Sequence, residues 1–186
     1  MEIDALSTRE KLIETTGLTG GRVLDVGMGG CACMSRLLVR HGFDVVGVDR
    51  SAQAVHEARI EGQGQFEARR ADAEHLPFAE AEFDAVVAYH TLHHADDAEQ
   101  VLAEMFRVCR PGGTIMVAEL TARGRREYGD IADGGILLRR TGRYLQRAGE
   151  RLRRYKTVND ILFVCRKPAS ANDGMNDGAG DSDFTN

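Results

Sequence analysis

The 186-residue sequence has no tryptophan, only three prolines, and no apolar run near the roughly 20 residues that a membrane-spanning helix needs. Its first residues mix acids, bases and hydroxyls, whereas a signal peptide needs an uninterrupted apolar stretch. Four cysteines, at positions 31, 33, 109 and 165, lack the CxxC spacing of a zinc site or redox dithiol. These absences predict a soluble, cytoplasmic protein with reduced thiols, no structural metal and no disulfide.

Charge is unevenly distributed along the chain, although the net charge is only −5. Residues 121–156 hold eleven basic and four acidic residues, a local net charge of +7. Residues 168–186 hold four aspartates, no base and two large apolar residues, too little apolar surface to offset the entropy cost of ordering. We therefore predict one domain over residues 1–167, followed by a disordered acidic tail over residues 168–186.

Hydrophobic runs and turn signals alternate along the first two thirds of the chain. Separated by helical patterns, the five predicted strands span residues 23–26, 44–49, 65–70, 83–88 and 114–118. An arginine-rich helical pattern over 136–154 and a strand over 161–165 follow, with an Asn159-Asp160 turn before that strand. This order predicts an α/β fold, a single Rossmann-like, doubly wound, mostly parallel sheet with a C-terminal antiparallel hairpin. Ligands bind such sheets at the carboxyl ends of the strands.

A glycine-rich loop follows the first predicted strand, where backbone can approach a ligand and helix N–H groups face it. Gly27-x-Gly29-x-x-Ala32 satisfies the dinucleotide fingerprint, and Asp49 lies twenty residues after Gly29, where a ribose-binding acid is expected. The acid at Asp25 would repel a pyrophosphate but attract an ammonium group, which favours a zwitterionic ligand. An NAD-dependent oxidoreductase and a non-catalytic binding module stay open as alternatives.

From residue 20 to 167 the chain resembles the class I S-adenosylmethionine-dependent methyltransferases, in particular their small, single-domain, methyltransferase type 11-like members. The matching motifs, in order, are the glycine loop, Val48-Asp49, Ala71-Asp72-Ala73, Leu76-Pro77-Phe78, residues 83–87, Leu92-His93-His94 and residues 107–113. The resemblance implies S-adenosylmethionine as cofactor and direct in-line methyl transfer to an unidentified small-molecule acceptor. One departure is Cys31, which stands where the family has its third loop glycine.

The resemblance also implies a role for individual residues in binding the cofactor. Asp25 and the glycine loop would hold the methionine end, Asp49 the ribose hydroxyls, and Asp72 the adenine edge. Arg50 would lie beside the adenosine, and Tyr89 near the sulfonium. The full implied set is Asp25, Gly27, Met28, Gly29, Asp49, Arg50, Asp72, Ala73 and Tyr89.

The acceptor side is predicted above the ends of the fourth and fifth strands. Tyr89 and His90 are the candidate catalytic residues there, with His90 as a general base if the acceptor must lose a proton. Arg123, Arg125 and Arg126 follow the fifth strand and would close over an anionic acceptor, on a connection made mobile by Gly124, Gly129, Gly134 and Gly135. The basic segment has few aromatic residues among its many arginines, which argues against nucleic acid as a partner.

Two further residue pairs have structural explanations that compete with chemical ones. His93-His94 suits capping and packing more than catalysis. Cys31 and Cys33 could together hold a soft metal or metalloid, but small-residue packing is the commoner use, and no metal is predicted.

Overall fold

The computed structural model describes residues 5–127 and 134–169 as a seven-stranded sheet with helices on both faces. The strands are β1 (Arg22–Val26), β2 (Asp44–Asp49), β3 (Glu67–Arg70), β4 (Phe83–Tyr89), β5 (Cys109–Leu120), β6 (Glu150–Lys156) and β7 (Asp160–Arg166). The α-helices are α1 (Ala5–Thr16), α2 (Cys33–Arg40), α3 (Ala52–Gly62), α4 (Ala98–Val108), α5 (Ala122–Glu127) and α6 (Gly134–Ala148). Within these residues, no helix combines the length and apolar content needed to cross a membrane.

The strand order is β3-β2-β1-β4-β5-β7-β6. The first five strands pair in parallel, whereas β7 runs antiparallel to both β5 and β6. This confirms the predicted Rossmann-like sheet with its C-terminal hairpin. Two acids sit at adjacent strand ends because Asp25 pairs with Gly47 of β2, two residues before Asp49.

Two large apolar clusters lie on opposite faces of the sheet, and a third, smaller cluster packs α3 against β3. One large cluster joins α4 and α6 to the sheet through Leu102, Met105 and Leu145. The other large cluster joins α1 and α2 through Leu12 and Leu38, both of which are fully or almost fully buried. A parallel sheet requires apolar side chains to be buried on both of its faces. The apolar strands therefore need the amphipathic helices to cover them, and the helices need the sheet to bury their apolar sides.

Several predicted elements differ from the structure. α1 and α5 are additional helices, and the predicted helix over 136–154 ends at Ala148, where β6 begins after Gly149. In β6, Leu152 and Tyr155 are half-buried between exposed basic residues, and main-chain pairing with β7 overrides the helical pattern. The fifth predicted strand, residues 114–118, is part of the longer β5, which already begins at Cys109 and whose pairing with β4 shifts register between Cys109 and Thr114. Of the predicted acidic tail, residues 170–186 lie outside the described part of the chain.

Glu119, near the end of β5, fixes the loop that follows β4. Its side chain is fully buried, and Oε1 accepts hydrogen bonds from the backbone N–H groups of Thr91 (3.0 Å) and Leu92 (2.7 Å). Oε2 lies 2.7 Å from His93 Nδ1. One carboxylate therefore anchors both the backbone and a side chain of this loop, as expected for the structural interpretation of His93.

Replacing Glu119 by Ala should destabilise the fold strongly. Two buried N–H groups and an imidazole would lose their partner, which costs about 2 to 5 kcal/mol in the free energy of unfolding. Urea denaturation measures the loss. Glu61→Ala is the control, because its exposed ion pair with Arg36 should contribute about 1 kcal/mol or less. Equal effects of the two substitutions would contradict this role for Glu119.

Candidate functional site

A pocket of about 440 Å³ opens at the carboxyl ends of the strands, a volume within the range of small-molecule sites. The sequence-predicted residues that line it are Asp25, Gly27, Met28, Gly29, Asp49, Arg50, Asp72, Ala73, Tyr89 and His90. Cys31, Cys33, His94 and Arg9 line it as well. The parallel topology thus collects in one place residues that are separated by more than sixty positions in the sequence.

The glycine loop is tied to the end of β2 by its backbone. Gly27 and Met28 both donate hydrogen bonds to the carbonyl of Val48, at 2.9 and 3.0 Å, and Gly27 takes a φ of +73° that glycine adopts without strain. Ala32, fully buried before α2, also adopts a positive φ of +43°. Gly27, Gly29 and Ala32 are thus the residues of this loop with a positive φ. Cys31 is not one of them, and it is exposed at the pocket.

Asp25 is a buried carboxylate at the end of β1. Only 1% of the residue is exposed, and its Oδ2 accepts a hydrogen bond from Ser35 Oγ at 2.6 Å. Burial raises the pKa of Asp25 from 3.8 to about 6, against the opposing effects of the Ser35 hydrogen bond and the positive charge of Arg9. An ammonium group bound beside Asp25 would relieve this cost, so the residue suits the cationic end of a ligand.

Asp49 and Asp72 present carboxylates whose positions are fixed by backbone hydrogen bonds. Asp49 accepts from Gly29 N at 3.0 Å and from Ser51 N at 2.8 Å, one bond on each oxygen. A second lone pair on each oxygen suits a ribose hydroxyl. Asp72 accepts from Glu74 N at 3.0 Å, and this bond holds the pKa of Asp72 below its ordinary value. Both groups can accept hydrogen bonds from a nucleoside.

Arg9 is a pocket residue that the sequence analysis missed. Its guanidinium carbon lies 4.7 Å from the ring centroid of Tyr89, and its charge lowers the pKa of Asp25. The Arg9 Nε atom is buried without a hydrogen-bond partner among the described residues. A carboxylate would satisfy this buried donor, and the only sequence signal for it is the amphipathic spacing of Leu12 and Ile13 around an N-terminal basic residue.

Tyr89 and His90 form the wall of the pocket at the end of β4. Tyr89 is 9% exposed, and the two rings lie 4.1 Å apart at 30°. His90 Nε2 lies 2.6 Å from Asp160 Oδ1, a partner that the sequence analysis assigned to a turn. Asp160 is instead the first residue of β7, where its carboxylate is buried.

Arg123, Arg125 and Arg126 are not among the residues that line this pocket. Arg123 binds Glu127 within α5 at 2.9 Å, and Arg125 is buried. α5 begins directly after Thr121, whose N–H donates to the carbonyl of Asn159 at 2.7 Å and ties the helix to the β6–β7 turn. Gly129, one of the glycines predicted to make this connection mobile, lies outside the described residues.

The comparisons with known proteins agree with this geometry. Residues 24–117, about half the chain, match the family described as "Methyltransferase domain". The chain therefore belongs to the methyltransferase domain family, as the ordered motifs predicted.

Two curated relatives and two solved structures illustrate the similarity. The chain is 36% identical over 121 residues to methyltransferase GfsG of Streptomyces halstedii, covering 62% of this chain and 44% of that protein. It is 36% identical over 124 residues to a phosphatidylethanolamine N-methyltransferase of Cereibacter sphaeroides, covering 64% and 60%. The chain thus spans about half the length of these curated relatives.

The solved structures share the fold at low sequence identity. The [4+2]-cyclase SpnF superposes with a TM-score of 0.74 at 21% identity, covering 89% of this chain and 82% of that one. A SAM-dependent methyltransferase from Aquifex aeolicus gives 0.70 at 18% identity, covering 86% and 89%. At these identities the likeness concerns the fold alone, so the activity must be argued from the site.

Replacing Asp25 by Asn should stabilise the ligand-free chain near neutral pH. Because the folded chain binds this proton more tightly than the unfolded chain, the contribution of Asp25 to stability falls as the pH rises from about 4 to about 6. A shift of about two pKa units corresponds to about 1 to 3 kcal/mol above that window. Asn removes the charge and keeps an oxygen that can accept from Ser35.

Thermal melts of Asp25→Asn and of the wild type measure this effect. The variant should melt higher at about pH 7.5 and at nearly the wild-type temperature at about pH 4. Asp44→Asn, at an exposed position of β2, serves as the control. An equal shift at both pH values would show that the buried charge is not the cause.

Proposed function

We propose that this chain is an S-adenosylmethionine-dependent methyltransferase that acts on a small-molecule acceptor. The observation that carries the proposal is that one pocket holds both the buried carboxylate of Asp25 and a buried donor, Arg9 Nε, that has no hydrogen-bond partner in the described part of the chain. These two groups complement the ammonium and carboxylate ends of an amino acid. Asp49 and Asp72 add acceptors suited to a ribose and an adenine.

When bound, S-adenosylmethionine supplies a methyl group on a positively charged sulfur. The protein's contribution is to hold the acceptor in line with that methyl group, and direct displacement needs no covalent enzyme intermediate. Tyr89, almost buried beside the glycine loop, would exclude water from the reacting atoms. The Arg9 guanidinium, which lies over the Tyr89 ring, would hold the carboxylate at the amino-acid end of the cofactor.

Two alternatives from the sequence have less support. An NAD-dependent oxidoreductase would place a pyrophosphate at the glycine loop, next to the buried Asp25 carboxylate, and the two charges would repel. An anionic acceptor was inferred from three arginines that do not line the pocket, so the proposal does not include one. Phosphatidylethanolamine, the lipid in the name of one relative, is consistent with a non-macromolecular acceptor.

A cytoplasmic location is also proposed, because all four cysteines are free thiols.

Calorimetric titration with S-adenosylhomocysteine tests the cofactor assignment. The wild type should bind it and should not bind NAD. Asp49→Ala should weaken binding by about 1.5 to 3 kcal/mol, because charge-assisted hydrogen bonds to the ribose are lost. Asp44→Ala, five residues earlier and exposed, should leave the affinity unchanged. Unchanged affinity in a folded Asp49→Ala variant would remove Asp49 from the site.

A second titration separates the two ends of the ligand. Arg9→Ala should weaken S-adenosylhomocysteine binding about tenfold or more, because the carboxylate of the ligand loses a charged hydrogen-bond donor. The affinity for 5′-deoxy-5′-methylthioadenosine, which lacks the amino-acid part, should not change. Lys11→Ala, on the exposed side of α1, is the control. Equal losses for both ligands would show that Arg9 acts by supporting the fold and not by binding a carboxylate.

A further inference from the structure

His90 and Asp160 are a histidine–carboxylate pair at the pocket wall, brought together from β4 and β7. Nε2 of His90 lies 2.6 Å from Oδ1 of Asp160, and the Asp160 side chain is only 5% exposed. The N–H of Asp160 donates to Thr157 Oγ1 at 2.9 Å, which fixes the backbone at the start of β7. The carboxylate is therefore held in place before any ligand binds.

The backbone of His90 is itself constrained. Its φ of +56° is left-handed, a conformation that is costly for a residue with a side chain and that concentrates at functional sites. The His90 N–H donates to the carbonyl of Ala118 in β5 at 2.8 Å, which holds this conformation. β4, β5 and β7 thus all contribute to the orientation of one imidazole.

A second histidine–carboxylate pair in the same loop provides an internal comparison. His93 and Glu119 are 2.7 Å apart, but neither lines the pocket, and the side chains are 8% and 0% exposed. Glu119 also holds two backbone N–H groups. The His90 side chain is 21% exposed and lines the pocket. The His93–Glu119 pair therefore serves the fold, whereas His90, held by Asp160, faces the space where the acceptor must bind.

We propose that His90 and Asp160 form a proton-accepting pair and that the methyl acceptor of this chain is a hydroxyl group. The inference rests on the methyltransferase function proposed above. A neutral amine or a thiolate can attack a methyl group without a base, whereas a hydroxyl oxygen must lose its proton. A carboxylate-oriented imidazole at the acceptor side is required only in the latter case.

The proposed step balances as follows in protons and electrons. Because Nε2–H donates to Asp160, Nδ1 carries the lone pair and takes the acceptor proton. The acceptor oxygen uses an electron pair to bond the methyl carbon, and the pair of the carbon–sulfur bond stays on the sulfur. Asp160 stabilises the imidazolium, which then returns its proton to solvent. His90 is thus a catalytic residue, and Asp160 is a positioning residue.

The test uses [methyl-¹³C]S-adenosylmethionine with the hydroxyl, amine and thiol forms of the same set of aryl and alkyl scaffolds. The ¹³C chemical shift of the product identifies the atom that received the methyl group. We expect methylation of hydroxyl members. His90→Asn and Asp160→Asn should each lower kcat about 100-fold or more, leave the Kd of S-adenosylhomocysteine unchanged, and abolish the acidic limb of the kcat–pH profile.

Two variants separate catalysis from support of the fold. His93→Asn should lower the melting temperature yet keep the wild-type pH profile, and Asp160→Glu should recover part of the activity lost in Asp160→Asn. The other titratable and charged groups that line the pocket include Arg9, Asp25, Cys33, Tyr89 and His94, and they are the same in every variant.

The inference is overturned if an amine or thiol member is the methylated one, or if no hydroxyl member reacts although the chain binds S-adenosylhomocysteine. It is also overturned if folded His90→Asn keeps the wild-type rate and pH profile. Failure of the wild type to bind S-adenosylhomocysteine would instead overturn the proposed function, so the two failures are distinguishable.

Discussion

Parallel pairing of β1 with both β2 and β4 is the constraint on which the candidate site depends. The register of this pairing places the carboxyl ends of the three strands side by side, so the residues that follow each strand meet there. Asp25 and Asp49 could not otherwise share a pocket with His90. Hydrogen bonds from the backbone of the glycine loop to the carbonyl of Val48 then hold this loop over the strand ends, where a ligand can bind. The position of the candidate site is thus a consequence of the sheet topology.

The nucleoside side of the site could be predicted from the sequence because its signals are local. Asp25 precedes a glycine loop and Asp49 ends a β-branched run, so each acid is marked by its neighbours. Arg9 and Asp160 carry no such mark. Each reaches the pocket through packing of a distant element, α1 or β7, and its position is settled by tertiary contacts. Local rules for turns favoured a different interpretation of Asp160.

The same distinction explains where the predicted secondary structure differs. The parallel core was predicted because strand and helix periods alternate there. The change from α6 to β6 was missed, since arginines and leucines suit an exposed helix until pairing with β7 is known. The arginines of α5 were expected at the pocket from their distance along the chain. Hydrogen bonds from Thr121 to the β6–β7 turn hold the start of α5 at that turn, and its arginines do not line the pocket. Closeness in sequence to the end of β5 therefore did not predict which side chains reach the pocket.

The neighbouring fold of a [4+2]-cyclase shows that this architecture does not by itself fix a reaction, so side chains at the rim must do so. A different consequence follows from β6, which forms one border of the sheet. Unpaired strand borders invite another chain to add on and begin an aggregate. Arg151, Arg153, Arg154 and Lys156 are exposed there. A second copy aligning along the same border would meet like charges at close spacing, so the positive charge of this strand disfavours edge-to-edge association.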